Sequence, residues 1–435
     1  MDVVVLVDGE HYPPVVSSAI EELKKTHNVL AAIFLGGTEK IKIGQDISKV
    51  FAVPVYKSGD YISDIRAAVD RHKPEAAIDL SDEPVVNYDD RFKIASELAL
   101  LGVDYVGADF RFTAIKYQKI FTKPSLSVIG TGKRIGKTAV AGYICRLLKN
   151  EGFNPVAVTM GRGGPGHPEV IEGDKIEITP SYLVSESLHG KHASSDHYED
   201  ALTSRIRTIG CRRCGGGMMG QPYSSVVVEG CRLAESLEND YVVLEGSGAS
   251  FAPVETDHFV TVAGCNQKTE HLLGFFGRYR LKKADLVVLT HCEEPIASKA
   301  KIDDVYFGVK KINPGAKVFK TVFRPKPLGD IKGKKVIYTS ALADEMVGKI
   351  SEYIGCEFGC TIVSASNKLS NRPLLMKDLS SMEKADVLLT ELKASAVDVA
   401  TKYALEKGME VVYCDNIPIC DEGSLDEAVR CLIKG

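Results

Sequence analysis

The sequence predicts an α/β protein built on parallel sheets covered on both faces. Short apolar runs rich in Val and Ile recur along the chain, and longer helix-like stretches separate them. The runs are continuously apolar instead of alternating, as expected of strands buried on both sides. Polar and glycine-rich segments follow many of these runs directly, at the carboxyl edge where such sheets bind ligands.

Taken in order, the expected strands are VVVLV (3–7), AAIFL (31–35), AAIDL (76–80), LSVIG (126–130), PVAVT (155–159), YVVLE (241–245), DLVVLT (285–290), KVIYT (335–339), DVLLT (386–390) and EVVYC (410–414). They suggest three α/β domains, over residues 1–124, 125–328 and 329–435. Lys123-Pro124 marks the first boundary. RPKP (324–327) reads as a linker at the second, because two prolines in four residues cannot extend a helix.

A chain of 435 residues with 44% apolar and 26% charged residues has material for several cores. The net charge of −4 shows no global basic excess, so neither nucleic acid nor an anionic membrane is an expected partner. MDVVVLVDGE lacks the basic flank of a signal peptide, and no apolar run approaches the ~20 residues of a membrane helix. A cytoplasmic protein is expected. The eleven scattered cysteines do not suggest a disulfide framework.

The most informative segment is SVIGTGKRIGKTAVAGYICRLLK (127–149), in which a strand feeds GTGKRIGKT (130–138) and an apolar helix follows. Glycines allow close approach to phosphate, and backbone N–H groups at the helix start cradle its oxygens. Gly130, Thr131, Gly132, Lys133, Gly136, Lys137 and Thr138 form the candidate nucleotide site. Lys137 would reach the β- and γ-phosphates and Thr138 would ligate Mg²⁺. Thr131 occupies the first position of the common eight-residue spacing, with Gly130 just before it. The expected class is a P-loop NTPase core in a mostly parallel, doubly wound sheet, flanked by N- and C-terminal α/β domains.

YVVLEGSGAS (241–250) ends a strand in Glu245, a candidate for Mg²⁺ beside the loop. MGRGGPGHPEV (160–170) places Arg162 after PVAVT, the strand that follows the phosphate-loop helix, where its planar fork suits phosphate or carboxylate. GCRRCGGGMMG (210–220) contains Cys211-x-x-Cys214 with Arg212 and Arg213. It reads as a zinc half-site, a redox pair, or a glycine-rich anion-binding loop with incidental thiols. In the last reading both arginines contact substrate. NQKTEHLLGFFGRYRLKKAD (266–285) reads mostly as a solvated helix face, with Lys268 and Arg278 as further candidates.

The loop resembles the GT-x-x-x-x-GKT form of dethiobiotin synthetases and their relatives. That resemblance makes Lys133 a second phosphate lysine. It also implies a metal-binding aspartate in HASSDHYEDAL (192–202), Asp196 or alternatively Asp200. It places Thr290 and the following loop 291–295 near the purine.

Together, GTGKRIGKTAVAGY, MGRGGPGHPEV, HASSDHYEDA, GCRRCGGGM, VVLEGSGAS and VVLTHCEEPIAS resemble the archaeal cyclic 2,3-diphosphoglycerate synthetase family. The resemblance runs through nearly the whole chain. It implies a phosphoanhydride-forming ligase that uses ATP and Mg²⁺ to cyclise 2,3-bisphosphoglycerate, with Lys137, Lys133 and Arg162 in catalytic roles. A homodimer is the expected assembly. Another ATP-dependent kinase or ligase on a small acid stands as an alternative, as does a nucleotide switch or metallochaperone.

Overall fold

The computed structural model describes residues 1–42 and 46–434. Two compact units are present: Met1–Lys116 with Thr269–Lys283, and Tyr117–Lys268 with Ala284–Gly435. Among the described residues no helix is long and apolar enough to cross a membrane.

The first unit contains β1 (Asp2–Val7), β2 (Asn28–Phe34), β3 (Val55–Tyr56), β4 (Ala76–Asp79), β5 (Asp104–Val106) and β6 (Arg111–Phe112). They lie in the order β3-β2-β1-β4-β5-β6, parallel except for the β5–β6 pair. Val3 to Val7 are wholly buried, as a central strand with both faces covered demands. The acidic loops at its carboxyl edge are tied into their own turns. Asp8 accepts backbone N–H groups from Glu10, His11 and Asp82, and Asp79 accepts from Ser81 and the Tyr105 hydroxyl.

The segment expected as a solvated helix face is partly core here. Residues 269–283 fold as two short helices, Thr269–Leu273 and Gly277–Lys282. The ring centroids of Phe275 and Phe276 lie 5.0 and 5.3 Å from that of Phe92 on the helix Tyr88–Leu100. Lys282 pairs with the buried Glu97 of the same helix.

The second unit is organised on one long sheet. Its strands are β7 (Ser125–Gly130), β8 (Pro155–Gly161), β9 (Glu169–Glu172), β10 (Arg207–Cys214), β11 (Ser224–Ser225), β12 (Tyr241–Glu245), β13 (His258–Gly264), β14 (Leu286–Thr290), β15 (Lys317–Pro327), β16 (Lys335–Thr339), β17 (Thr361–Ser366), β18 (Val387–Glu391) and β19 (Glu410–Cys420). The order is β11-β10-β8-β12-β7-β13-β14-β15-β19-β18-β16-β17, with β9 paired to β10. The central run from β10 to β15 is parallel, so β7, β8 and β12 all present their carboxyl ends on one edge.

RPKP is a strand here, not a linker. The first part of β15 pairs with β14, and Thr321 to Pro327 pair antiparallel with β19. Pro325 and Pro327 lie where β15 has a strand on one side only, which is where proline is tolerated in a sheet. The last helix, Leu425–Lys434, returns to the start of the unit. Its Leu425, Val429 and Ile433 join the core made by Leu126, Val128, Ile144 and Leu148.

Candidate active site

The phosphate loop joins β7 to the helix Lys137–Asn150. Gly136 precedes that helix at φ +84°, in the left-handed region, and an added Cβ there would lie 2.1 Å from the Phe323 ring. Only glycine meets both conditions without strain. The buried Lys137 side chain folds back, and its Nζ donates to the Gly132 carbonyl at 2.9 Å. Burial lowers the Lys137 pKa, while Glu245 and Asp196 act to keep the charge.

Three neighbours brace the loop. Thr131 Oγ1 donates to Gln267 Oε1, and Gln267 Nε2 donates to the Thr131 carbonyl at 3.3 Å. The Thr290 hydroxyl donates to the Ile135 carbonyl at 2.8 Å. His291 Nε2 lies 3.3 Å from the Arg134 carbonyl oxygen. Thr290 was expected at the purine, but its side chain is fully buried and its hydroxyl holds the loop from behind. It ends a strand beside β13, so its donor meets backbone sooner than ligand.

The acidic side begins with Glu245 at the end of β12. Its Oε1 accepts from the Thr138 hydroxyl at 2.7 Å, while its buried Oε2 has no partner. Burial and then Asp196 push this carboxyl well above its ordinary range. Asp196 is the first residue of the helix Asp196–Ser204 and is half-buried. Burial raises it, and Lys137, Lys393, His192 and Arg162 oppose the rise. Asp200, the alternative, is sealed in the interior with neither carboxylate oxygen partnered. Asp196 is therefore the one with access to the cleft.

Of the expected basic groups, Lys133, Arg162 and Arg213 share one neighbourhood. Burial and Arg162 depress both Lys133 and Arg213, and Asp196 supports the charge on each. Arg213 also donates to the carbonyls of Gly215 at 2.8 Å and Ser247 at 3.0 Å, tying β10 to the Glu245 turn. Arg212 is not part of this group. Adjacent strand residues point to opposite faces, and the exposed Arg212 guanidinium lies against Gly166.

The same alternation corrects the Cys-x-x-Cys readings. Cys211 and Cys214 lie on β10, three residues apart, so they face opposite ways: Cys211 into the core with Cys231, Cys214 to solvent. They form neither a zinc half-site nor a dithiol. The segment is also a strand through Cys214, not a loop from Gly210 onward. Lys268 is exposed beside Gln267 in the same unit as the loop, whereas Arg278 belongs to the N-terminal unit, where its charge acts on Tyr61.

Profiles of three domains match the chain. Cyclic 2,3-diphosphoglycerate synthetase, P-loop domain, covers residues 125–322; the N-terminal domain of the same synthetase covers 2–113 and its C-terminal domain 327–417. The cyclic 2,3-diphosphoglycerate synthetase of Thermococcus kodakarensis is 51% identical over 423 residues, 97% of this chain and 95% of that protein. That of Methanothermus fervidus is 48% identical over 436 residues, 98% of this chain and 95% of the relative. This chain belongs to the cyclic 2,3-diphosphoglycerate synthetase family. As a member of that synthetase family it is an enzyme. Among solved structures, the hydrogenase maturation factor HypB from Archaeoglobus fulgidus aligns with 46% of this chain and 81% of its own, at TM-score 0.30 and 15% identity. So loose a likeness carries no argument about the site.

Two groups of this synthetase-family site escaped sequence reasoning. Gln267 follows an unremarked strand, β13, and nothing in its type or spacing announces a loop contact. Lys393, in the turn after β18, brings its ammonium 3.2 Å from Glu199 Oε1. The acidic surroundings, Glu199 and Glu391 foremost, raise the Lys393 pKa against the effect of burial. The expected strand DVLLT ends three residues before Lys393 but says nothing of its partner, because Glu199 is nearly two hundred positions away.

Proposed function

We propose that this enzyme binds ATP with Mg²⁺ at residues 130–138 and closes a phosphoanhydride within 2,3-bisphosphoglycerate. ADP and inorganic phosphate leave. The observation that carries this reading is the Thr138–Glu245 contact with its unpartnered buried oxygen, set beside Lys137 in a chain of this family.

The residues fit a hard cation. The donors on offer are oxygens: the Thr138 hydroxyl and the Glu245 and Asp196 carboxylates. Among the described residues no three His, Cys, Asp or Glu side chains form a metal cage by themselves. That suits Mg²⁺, which takes one or two carboxylates and completes its shell with phosphate oxygens and water. When bound, it would spread the negative charge of the transferring phosphoryl group.

The chain's own residues then have separable tasks. Loop N–H groups and Lys137 hold the nucleotide phosphates, and Lys137 stabilises charge on the γ-phosphoryl group. Lys133, Arg162 and Arg213 face the bisphosphorylated acid and offset repulsion between anions. One substrate phosphate attacks the γ-phosphorus and ADP departs. The second substrate phosphate then attacks the phosphorus of the first, forming the ring anhydride and expelling the former γ-phosphoryl group as inorganic phosphate. Little proton transfer is needed, so holding the anions in line supplies most of the catalysis. A cytoplasmic location accords with ATP and a phosphorylated acid as the proposed substrates.

The test is incubation with ATP, Mg²⁺ and 2,3-bisphosphoglycerate, followed by phosphorus NMR. A new anhydride resonance with equal amounts of ADP and phosphate is expected. An open-chain phosphorylated product would make the enzyme a kinase, and ADP without any new organic phosphate would make it an ATPase.

A further inference from the structure

The thiol pair that matters is not the one the sequence displays. Cys265 and Cys292, separated by 26 intervening residues, bring their Sγ atoms to 3.7 Å. Cys265 follows the last residue of β13, and Cys292 lies two residues beyond β14. Those strands are parallel neighbours with Gly264 opposite Thr290, and the Cys265 N–H donates to the Thr290 carbonyl at 2.9 Å. Neighbouring strands lie about 4.8 Å apart. With the sulfurs already at 3.7 Å, a disulfide needs only a small closing movement of the two turns.

Access and position are both favourable. Cys265 is buried, but Cys292 is half-exposed and lines a cavity of about 270 Å³ with Lys299, Asp303 and Lys320. Each cysteine sits beside a brace of the phosphate loop. Gln267, which holds Thr131, is two residues after Cys265, and Thr290 and His291, which hold Ile135 and Arg134, immediately precede Cys292.

We propose that Cys265 and Cys292 form a reversible thiol–disulfide site whose closure by a peroxide displaces the phosphate loop and weakens nucleotide binding. The Cys292 sulfur attacks one peroxide oxygen, the O–O bond breaks, and water leaves a sulfenic acid on Cys292. The Cys265 thiolate attacks that sulfur, and the departing hydroxide takes a proton to form water. Two thiols are oxidised and one peroxide is reduced to two waters. The hydrogen bond from Cys292, helped by Lys301 and Lys320, lowers the Cys265 pKa against burial, while that same hydrogen bond and burial push the Cys292 thiol up. The pair therefore keeps its thiolate on Cys265, the resolving residue, and Cys292 gives up its proton as it attacks.

Closing the sulfurs from 3.7 Å to about 2 Å draws the two post-strand turns together. Misplacement of positioning groups by about 1 Å can cost about a hundredfold in rate. The effect on turnover rests on the proposed reaction; the cross-link does not.

The full-length enzyme, reduced and then treated with hydrogen peroxide, is assayed three ways: peptide mass mapping, Mg·ATP binding by calorimetry, and turnover. The expected result is a linked Cys265–Cys292 peptide lighter by two hydrogens. Mg·ATP binding should be ten- to a hundredfold weaker, and dithiothreitol should reverse both. Cys265→Ser should keep basal turnover and lose the response; Cys292→Ser serves the mapping arm if that variant folds poorly. Absence of the linked peptide at a dose that oxidises the exposed Cys214, Cys356 and Cys431 overturns the site. A linked enzyme that binds Mg·ATP normally overturns the switch. If the reduced wild type binds no Mg·ATP, the nucleotide reading fails and the switch fails with it, whereas the cross-link is still read by mapping.

Discussion

The Thr138 hydroxyl donates to Glu245 Oε1 at 2.7 Å, and the second oxygen of that buried carboxylate meets no donor. A helix start and a strand end, more than a hundred residues apart, thus share one oxygen-lined position. Burial and Asp196 favour the protonated acid, and the Thr138 hydrogen bond and the Lys137 charge oppose them.

Glu245→Gln is accordingly expected to bind nucleotide nearly normally in the absence of metal. It should lose about ten- to a hundredfold in Mg²⁺-dependent kcat/KM, because the amide keeps the shape without the charge. A Mg²⁺ titration of turnover checks this. An unchanged rate and unchanged Mg²⁺ dependence would reduce Glu245 to a strand end.

Lys137→Met should remove roughly a hundred- to a thousandfold from kcat, the usual cost of losing one group that stabilises transition-state charge. Stability should fall little, since the variant also removes a cation from a buried position. Urea unfolding beside steady-state kinetics separates the two. A stable variant with ordinary kcat would take the loop out of the chemistry.

Arg213→Gln and Arg212→Gln should differ although the residues are neighbours. Loss of the Arg213 guanidinium should lower kcat/KM for 2,3-bisphosphoglycerate by about ten- to a hundredfold. Arg213→Lys should recover part, since the charge returns without the fork. Arg212→Gln should stay near wild type because its side chain points off the other face of β10. Equal damage from both would mean that strand alternation does not sort these two side chains by function.

Thr290→Val keeps the volume but leaves the Ile135 carbonyl without its side-chain donor. A cost of about 1–3 kcal/mol is expected by urea unfolding. KM for ATP should rise with it, because the loop loses a brace. Unchanged ATP kinetics in a destabilised variant would confine Thr290 to the fold.

Glu199 supplies a pH test. Burial pushes its carboxyl up to about 8 from an ordinary 4.5, with Lys393 opposing. The folded state therefore holds a proton that the unfolded chain releases across roughly pH 4.5 to 8. More protons bound in the folded state means that this contribution to stability is lost as pH rises through that window. The urea midpoint of wild type should fall more steeply between pH 5 and pH 8 than that of Glu199→Gln. Parallel slopes would show that Glu199 does not titrate there.

The sequence by itself determined what local pattern can determine. GTGKRIGKT between an apolar run and an apolar helix is a phosphate loop because glycine spacing and a helix start are properties of adjacent residues. Continuous apolar runs such as VVVLV and YVVLE announced buried parallel strands for the same reason. Contacts between distant segments were decided only by the tertiary structure. β10 carried no apolar run past Cys211, so its arginines and cysteines looked like a loop until pairing with β8 placed them alternately on two faces. RPKP looked like a break because proline forbids a helix, but β19 offered a one-sided strand partner. Gln267, Lys393 and the Cys265–Cys292 pair acquire their partners through sheet register and packing across long stretches of chain. No local spacing encodes such a meeting, since its geometry exists only once the sheet has assembled.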